Sequence, residues 1–545
     1  MKKIFAYLLC SLVAGGLFYS CETTELDLTE NPNRLTPSQA DPNFLLNEIQ
    51  ENFARLVESL GETGSEVVRI ENMFGRNYQN NYSPAGFDGN WESAYVGILK
   101  NIQQMNVLAE EIGLTRHIGM GQVMEAYTIT LLVDYFGDVP YSEALDETNL
   151  NPAADGGAAI YAAADALLDS AITNFTNASA GNPQYDFFYG FDWSKWVLAA
   201  NTLKMRLAIN TGDFAGFNAI VNSGNYIQDS ADDFQFQWAT NDVQPDTRHP
   251  NYAASYTSSG AGGDYMSIWL MNLMQESADP RIRFYFYRQT AETPGAPGVD
   301  PNEETLGCSL TFPPNHYLAG GYAYCSLENG YWGRNHGSDE GIPPDGFLRT
   351  AHGVYPVGGN YDDSRFEGIA VGSGGAGAGI TPMLLASWVD FWKAEVAMAT
   401  SPAAGKQNIL DGMAKSIAKV RTFLNLDPDA DTSVTPLDAD VNAFIASIDA
   451  AFDAADDTGK MNIMAEQFFV ALRGNGHDGF NFYRRTGFPR TVEPNLEPDP
   501  GAFIRSFFYP ANYANTNSNA TQKTGVTDQV FWDTNPSSPS FPPAN

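Results

Sequence analysis

Two cysteines, a spaced run of acids and a cluster of flat side chains carry most of the chemistry in these 545 residues. Cys308 and Cys325 stand 17 residues apart. That spacing suits neither a CxxC redox pair nor a zinc knuckle, and an even pair in an exported chain reads as a disulfide. Asp427, Asp429, Asp431 and Asp438 fall at positions 1, 3, 5 and 12 of a calcium-loop pattern, with apolar Val434 at position 8. Thr432 replaces the glycine of the sharp turn, and Asp438 the bidentate glutamate. A structural Ca2+ is one reading. A solvated acidic loop between helices is the other, and the departures favour it. From Tyr322 to Trp332, and on through Arg334, His336, His352, Tyr355 and Tyr361, aromatic rings crowd among glycines. Sugars present C–H faces that pack on such rings, while amide, guanidinium and carboxylate groups take the hydroxyls. The competing reading is that these rings pin the loop to its own scaffold.

Other signatures fail on inspection. Gly372-Ser-Gly374-Gly-Ala-Gly377 matches GxGxxG, but Ala378 to Pro382 separates it from the next helix. Helix amides therefore cannot meet a pyrophosphate there, and the stretch reads as a linker. The sequence holds no GK[ST], HExxH or GxSxG. Its six histidines are scattered. A glycosidase needs two carboxylates, and 65 acids supply many pairs without singling one out. No enzyme is expected.

These groups need elements to hold them. Lys2-Lys3, the uncharged stretch Ile4 to Ser20 and then Cys21 form an export signal over 1–20. Cys21 resembles the acylated cysteine of a bacterial lipobox, although Phe18 and Tyr19 depart from that pattern. Residues 21–42 read as a lipid-anchored polar tether, and Glu22, Glu25 and Asp27 resemble the export tag of surface lipoproteins. Helical spacing appears in Glu92–Ile112, in Gly121–Phe136 and over 158–175. Asp192 can N-cap a helix carrying Trp196, Leu203 and Leu207 and stopped by Gly212. Pro382 fits the first turn of another, with Leu385, Trp388, Trp392 and Val396 inward. Two more cover about 404–425 and 462–473. Between 213 and 380, Gly, Pro, Asn and Tyr dominate, and only 264–275 looks helical. A stretch so long and aromatic is usually functional. The chain thus reads as mainly α. One domain over 43–545 has a helical scaffold at about 43–212 and 381–490, and a loop-rich insertion at about 213–380.

Composition narrows the partners. The 65 acids against 30 bases give a formal charge of −35. Nucleic-acid binding rests on basic contacts, so a nucleic-acid partner is excluded. Apolar content of 43% is ample for a core. Contact with a membrane is expected through the N-terminal lipid alone.

The ordered set of motifs resembles the SusD/RagB-type nutrient-binding outer-membrane lipoproteins, especially their second large branch. It runs from Leu26-Asp-Leu-Thr-Glu-Asn-Pro-Asn33 and Trp91-x3-Tyr95 through Tyr135-Phe-Gly-Asp-Val-Pro-Tyr141. Asn201-Thr-Leu-Lys-Met-Arg206, Asp279-Pro-Arg281 and Ser387-Trp388 to Lys393-Ala-Glu395 follow. Arg484-Arg-Thr-Gly-Phe-Pro489, Tyr509-Pro510 and Val530-Phe-Trp-Asp533 complete it. Asn512 stands about where the family places an acid after Tyr-Pro. The resemblance implies a tetratricopeptide-like scaffold of helical pairs and no chemistry. It also implies a role as capture subunit and lid of a SusC-type TonB-dependent transporter, taking an oligosaccharide or, in some members, a peptide. A lipid-anchored glycosidase is the rival from another class. The family shares its ligand surface between an early loop and the middle insertion. That points here to Arg76, Asn77, Tyr78, Asn80 and Tyr82, and to Tyr322, Tyr324, Tyr331, Trp332, Arg334 and His336. Trp332 is the expected stacking platform, and Arg334 the donor fork.

Overall fold

The computed structural model describes residues 41–257, 265–294, 306–339 and 348–543. The signal, Cys21 and all but the last two residues of the tether lie outside them. Helix α1 (Pro42–Val67) buries Leu46, Ile49, Phe53, Val57 and Leu60, one stripe at three- and four-residue spacing. A second helical run starts at Asp88, passes through a π-helical stretch at Ser93–Lys100 and ends as α2 (Asn101–Glu111). In that stretch Gly97 lies against α1, and a Cβ there would stand 2.9 Å from the Asn52 amide carbon. Helices α3 (Thr115–Phe136), α4 (Gly157–Thr176), α5 (Trp193–Thr211) and α6 (Phe214–Ser223) follow. Consecutive members pack on one another, and α2 packs on both α1 and α3, giving stacked tetratricopeptide-like pairs. Helix α5 forms for the expected local reasons. Asp192 accepts from Ser194 N at 3.1 Å, and Gly212 closes the helix at a φ of 73°.

After α7 (Ile268–Glu276), the second half supplies α8 (Ala386–Met398), α9 (Lys406–Thr422), α10 (Asp438–Ala454), α11 (Asp457–Ala471) and α12 (His477–Thr486). α12 returns to pack on α1. Four short strands are described: β1 (Phe234–Gln237), β2 (Phe286–Tyr287), β3 (Ala351–His352) and β4 (Ile380–Leu384). They form two antiparallel pairs, β1 with β4 and β2 with β3.

Three expectations are corrected. Pro382 does not open a helix. It lies in β4 opposite Gln235, where a two-stranded ribbon tolerates a residue without an amide proton. The helix begins at Ala386, whose N donates to Asp233 at 2.7 Å. The GxGxxG stretch is not a loose linker. Gly375 N and Gly377 N donate to Gly359 O and Gly358 O, each at 3.1 Å. A Cβ on Gly374 would sit 2.2 Å from Gly359 O, so the glycines permit backbone to lie on backbone. The calcium pattern does not converge either. Asp427 holds Arg365 and accepts from Tyr361 N, Asp431 caps Ser433, and Asp438 starts α10 and pairs with Arg421. Among the described residues no three His, Cys, Asp or Glu side chains are grouped to hold a metal. None of the described helices is long and apolar enough to cross a membrane.

Candidate functional site

The two segments expected to share a ligand face do meet. Gly75 N donates to Ser338 O at 3.2 Å, and Gly337 N to Met73 O at 3.0 Å. Arg76 bridges to Asp339 at 2.5 Å and to Glu497 at 3.6 Å. Asn77 caps the short helix Tyr78–Asn81 by accepting from Gln79 N at 3.0 Å. A third segment, which the sequence reading missed, stitches the other two together. Leu496 N donates to His336 O at 2.8 Å, and Tyr78 N to Pro500 O at 3.1 Å. Tyr317 Oη donates to Pro494 O at 2.8 Å, and His316 Nε2 lies 2.9 Å from Asn495 O.

Cys308 and Cys325 are joined, with Cα atoms 5.6 Å apart. A loop of this length restricts the unfolded chain by roughly 3 kcal/mol in the chain-entropy model. The loop it closes exposes Leu310, Phe312 and Leu318; Phe312 is 94% accessible. Tyr322 and Tyr324 stay half-exposed, edge-on to the buried Tyr317 at 5.7 and 6.3 Å. On the facing early loop Phe74 is 52% exposed. Phe74 and Phe312 were not singled out in the sequence, because an isolated Phe carries no pattern.

Five expected contacts turn inward. Tyr78, Tyr331, Trp332, Arg334 and His336 are buried. Trp332 packs with Tyr265, Leu306 and both cysteines, and its Nε1 donates to Glu292 O at 2.7 Å. Arg334 lies over the Tyr265 ring at 3.9 Å, and Arg288 over Tyr331 at 4.9 Å. Tyr78 Oη accepts from Arg69 at 2.9 Å and meets His336 Nε2 at 3.1 Å. These groups set the base on which the outward rings stand. Tyr82 is half-buried, donating to Glu66 at 2.7 Å, whereas Asn80 faces solvent.

The buried Glu493 anchors this base. Its carboxylate accepts from His336 N and Asn335 Nδ2, each at 2.7 Å. Burial pushes the group up to about 7 against those hydrogen bonds. A cavity of about 330 Å3 opens alongside, lined in part by Trp269, Tyr322, Glu466 and Glu493. Burial also raises Glu466, which accepts from Thr491 Oγ1 at 2.5 Å. Arg76 is an accessible basic side chain of the junction, and two acids face it. The surface so built presents rings, acids and amides to solvent. Of the three carboxylates that line the cavity, Glu276, Glu466 and Glu493, the last two are held by protein donors.

A family model described as "Starch-binding associating with outer membrane", the SusD-like type, matches residues 32–302. The fold matches a SusD/RagB family protein from Bacteroides thetaiotaomicron with a TM-score of 0.65 at 17% identity, over 91% of this chain and 100% of that one. A chitin-binding SusD homologue from Flavobacterium johnsoniae gives 0.64 at 16%, over 91% and 99%. A SusD homologue from Bacteroides uniformis gives 0.60 at 17%, over 90% and 100%. The chain belongs to the SusD-like family. No curated protein matches the sequence. In this SusD-like chain, Tyr135 and Arg484 of the family motifs are core residues. Tyr135 stacks on Phe507 at 5.4 Å, and Arg484 lies 3.7 Å over Phe480. Arg485 pairs with Glu395 at 2.8 Å, and Trp91 stacks on Tyr513 at 4.8 Å. These positions carry the resemblance through packing and pairing within the fold.

Proposed function

We propose that this chain is a cell-surface lipoprotein that captures a neutral oligosaccharide for a SusC-type TonB-dependent transporter. The disulfide-closed loop carries the reading. It holds Phe312, Tyr322 and Tyr324 outward from a base formed by Trp332, Tyr317 and Glu493. The match to a family described by starch binding at the outer membrane supports the same reading, as does a chitin-binding protein of similar fold. Tyr322 and Tyr324, rather than Trp332, are the stacking platforms.

Calorimetric titration with maltoheptaose, N-acetylated chito-oligosaccharides and cello-oligosaccharides tests this. Tyr322→Ala and Tyr324→Ala each lose about 1–3 kcal/mol of binding, by analogy with other stacking anchors. That is roughly a 5- to 150-fold weakening. The melting temperature stays near that of the wild type, because both rings are half-exposed. Peptide binding in place of every glycan would turn the reading to the family's other ligand class; turnover of any of the glycans would establish an enzyme instead.

Anchorage is assigned to Cys21, after an uncharged stretch of 17 residues. Cys21→Ala releases the protein from the membrane fraction and removes acyl mass from its N-terminal peptide. An unacylated Cys21 on membrane-bound wild-type protein would remove this part of the proposal.

A further inference from the structure

A second chemical site lies apart from the ligand face, where the C-terminal segment crosses the end of α3. A cavity of about 550 Å3 opens there, lined in part by Gly137, Ser506, Tyr509, Thr521, Lys523 and Asp528. Lys523 supplies its one amine. Nζ donates to Ser506 Oγ at 2.6 Å and lies 4.9 Å from the centre of the Tyr509 ring. Ser506 Oγ in turn donates to Asp528 O at 2.5 Å. Among the described residues no carboxylate forms an ion pair with Lys523. Gly137 leaves the approach open; even a Cβ added there would remain 3.9 Å from Nζ.

Lys523 is half-buried, and its hydrogen-bond partner is a neutral hydroxyl, whereas Lys100 and Lys406 are paired with carboxylates. We propose that Lys523 is a reactive amine, and that this cavity captures aldehydes as a reversible imine. Burial is the main cause that lowers the amine, to about 7. Arg484 adds to it, while Asp528 and Asp138 oppose it. Much of the amine is therefore neutral at physiological pH, the condition under which lysines form Schiff bases. The Nζ lone pair adds to the carbonyl carbon to give a carbinolamine. The C–O bond then breaks, a C=N bond forms, and oxygen leaves as water with both amine hydrogens. Ser506 Oγ stands next to the nitrogen while these protons move. The aldehyde is either a small carbonyl compound or the open-chain end of a reducing sugar.

Reductive trapping decides the matter on the full-length wild-type protein, independently of any glycan affinity. Glyceraldehyde and cellobiose are each incubated with the protein and cyanoborohydride at pH 7, and adducts are located by peptide mass mapping. With glyceraldehyde, Lys523 is labelled at least about tenfold faster than the salt-paired surface residues Lys100 and Lys406, and its rate levels off near neutrality. Preferential labelling by cellobiose as well identifies sugar ends as a source; labelling by glyceraldehyde alone identifies small aldehydes. Labelling of Lys523 no faster than Lys100, or still climbing with it to pH 9, overturns the proposal. In Lys523→Met the trapped adduct is absent from this peptide, while the circular dichroism spectrum matches the wild type.

Discussion

Trp332→Ala unfolds at markedly lower denaturant than the wild type, with a loss of about 3–5 kcal/mol. The indole is fully buried against Tyr265, Leu306 and the Cys308–Cys325 bridge. Truncation leaves a cavity and removes the donor that satisfies Glu292 O. Any loss of glycan affinity follows from a loosened loop and is restored when stabilising osmolyte refolds it. Chemical denaturation of wild type and variant, followed by tryptophan fluorescence and circular dichroism, gives the answer. A variant as stable as the wild type but unable to bind would mean that the indole acts on the ligand and not on the fold.

Asp134→Ala is the second severe change, on the order of 4 kcal/mol. Asp134 is buried in α3 and accepts from Tyr161 Oη, from His477 Nε2 and Asn481 Nδ2 at 2.8 Å each, and from Trp532 Nε1 at 2.9 Å. Alanine strands four buried polar groups. Burial alone would raise this carboxyl; the bonds and charge of His477, with Tyr161 and Arg484, outweigh it and hold the group at about 2. The folded value lies below the ordinary 3.8, so the stability it adds is present above about pH 4. It is lost as pH falls from 4 towards 2. The difference amounts to about 2 kcal/mol. Asp134→Asn keeps the shape and removes that part of the acid dependence. Identical acid unfolding curves for wild type and Asp134→Asn would contradict this account.

Where local chemistry decides an element, the sequence announces it. Asp192 and Gly212 bracket α5 as their cap geometries require. α10 went unseen because alanines blur its apolar stripe, and only Phe444 and Phe452 are buried. α1, α6 and α12 also lay outside the expected set. Pro382 misled because its short strand is buried at all five positions and ends one residue before a helix. The site divides in the same way. Aromatic and amide residues mark both loops, but composition cannot tell the inward Trp332 from the outward Tyr322. A distant partner settles that choice: Trp332 N donates to Thr350 Oγ1 at 2.8 Å. The third segment is held by bonds such as that between Asn335 and Glu493, 158 residues apart. Such pairings leave no local pattern to read.

The reach of Trp532 to Asp134 bears on how the protein is made. The two residues are 398 positions apart. A chain emerging from its N-terminus therefore presents α3 with a buried carboxylate that lacks its partners from α12 and from the last few residues. The lock closes only once Trp532 has joined the chain.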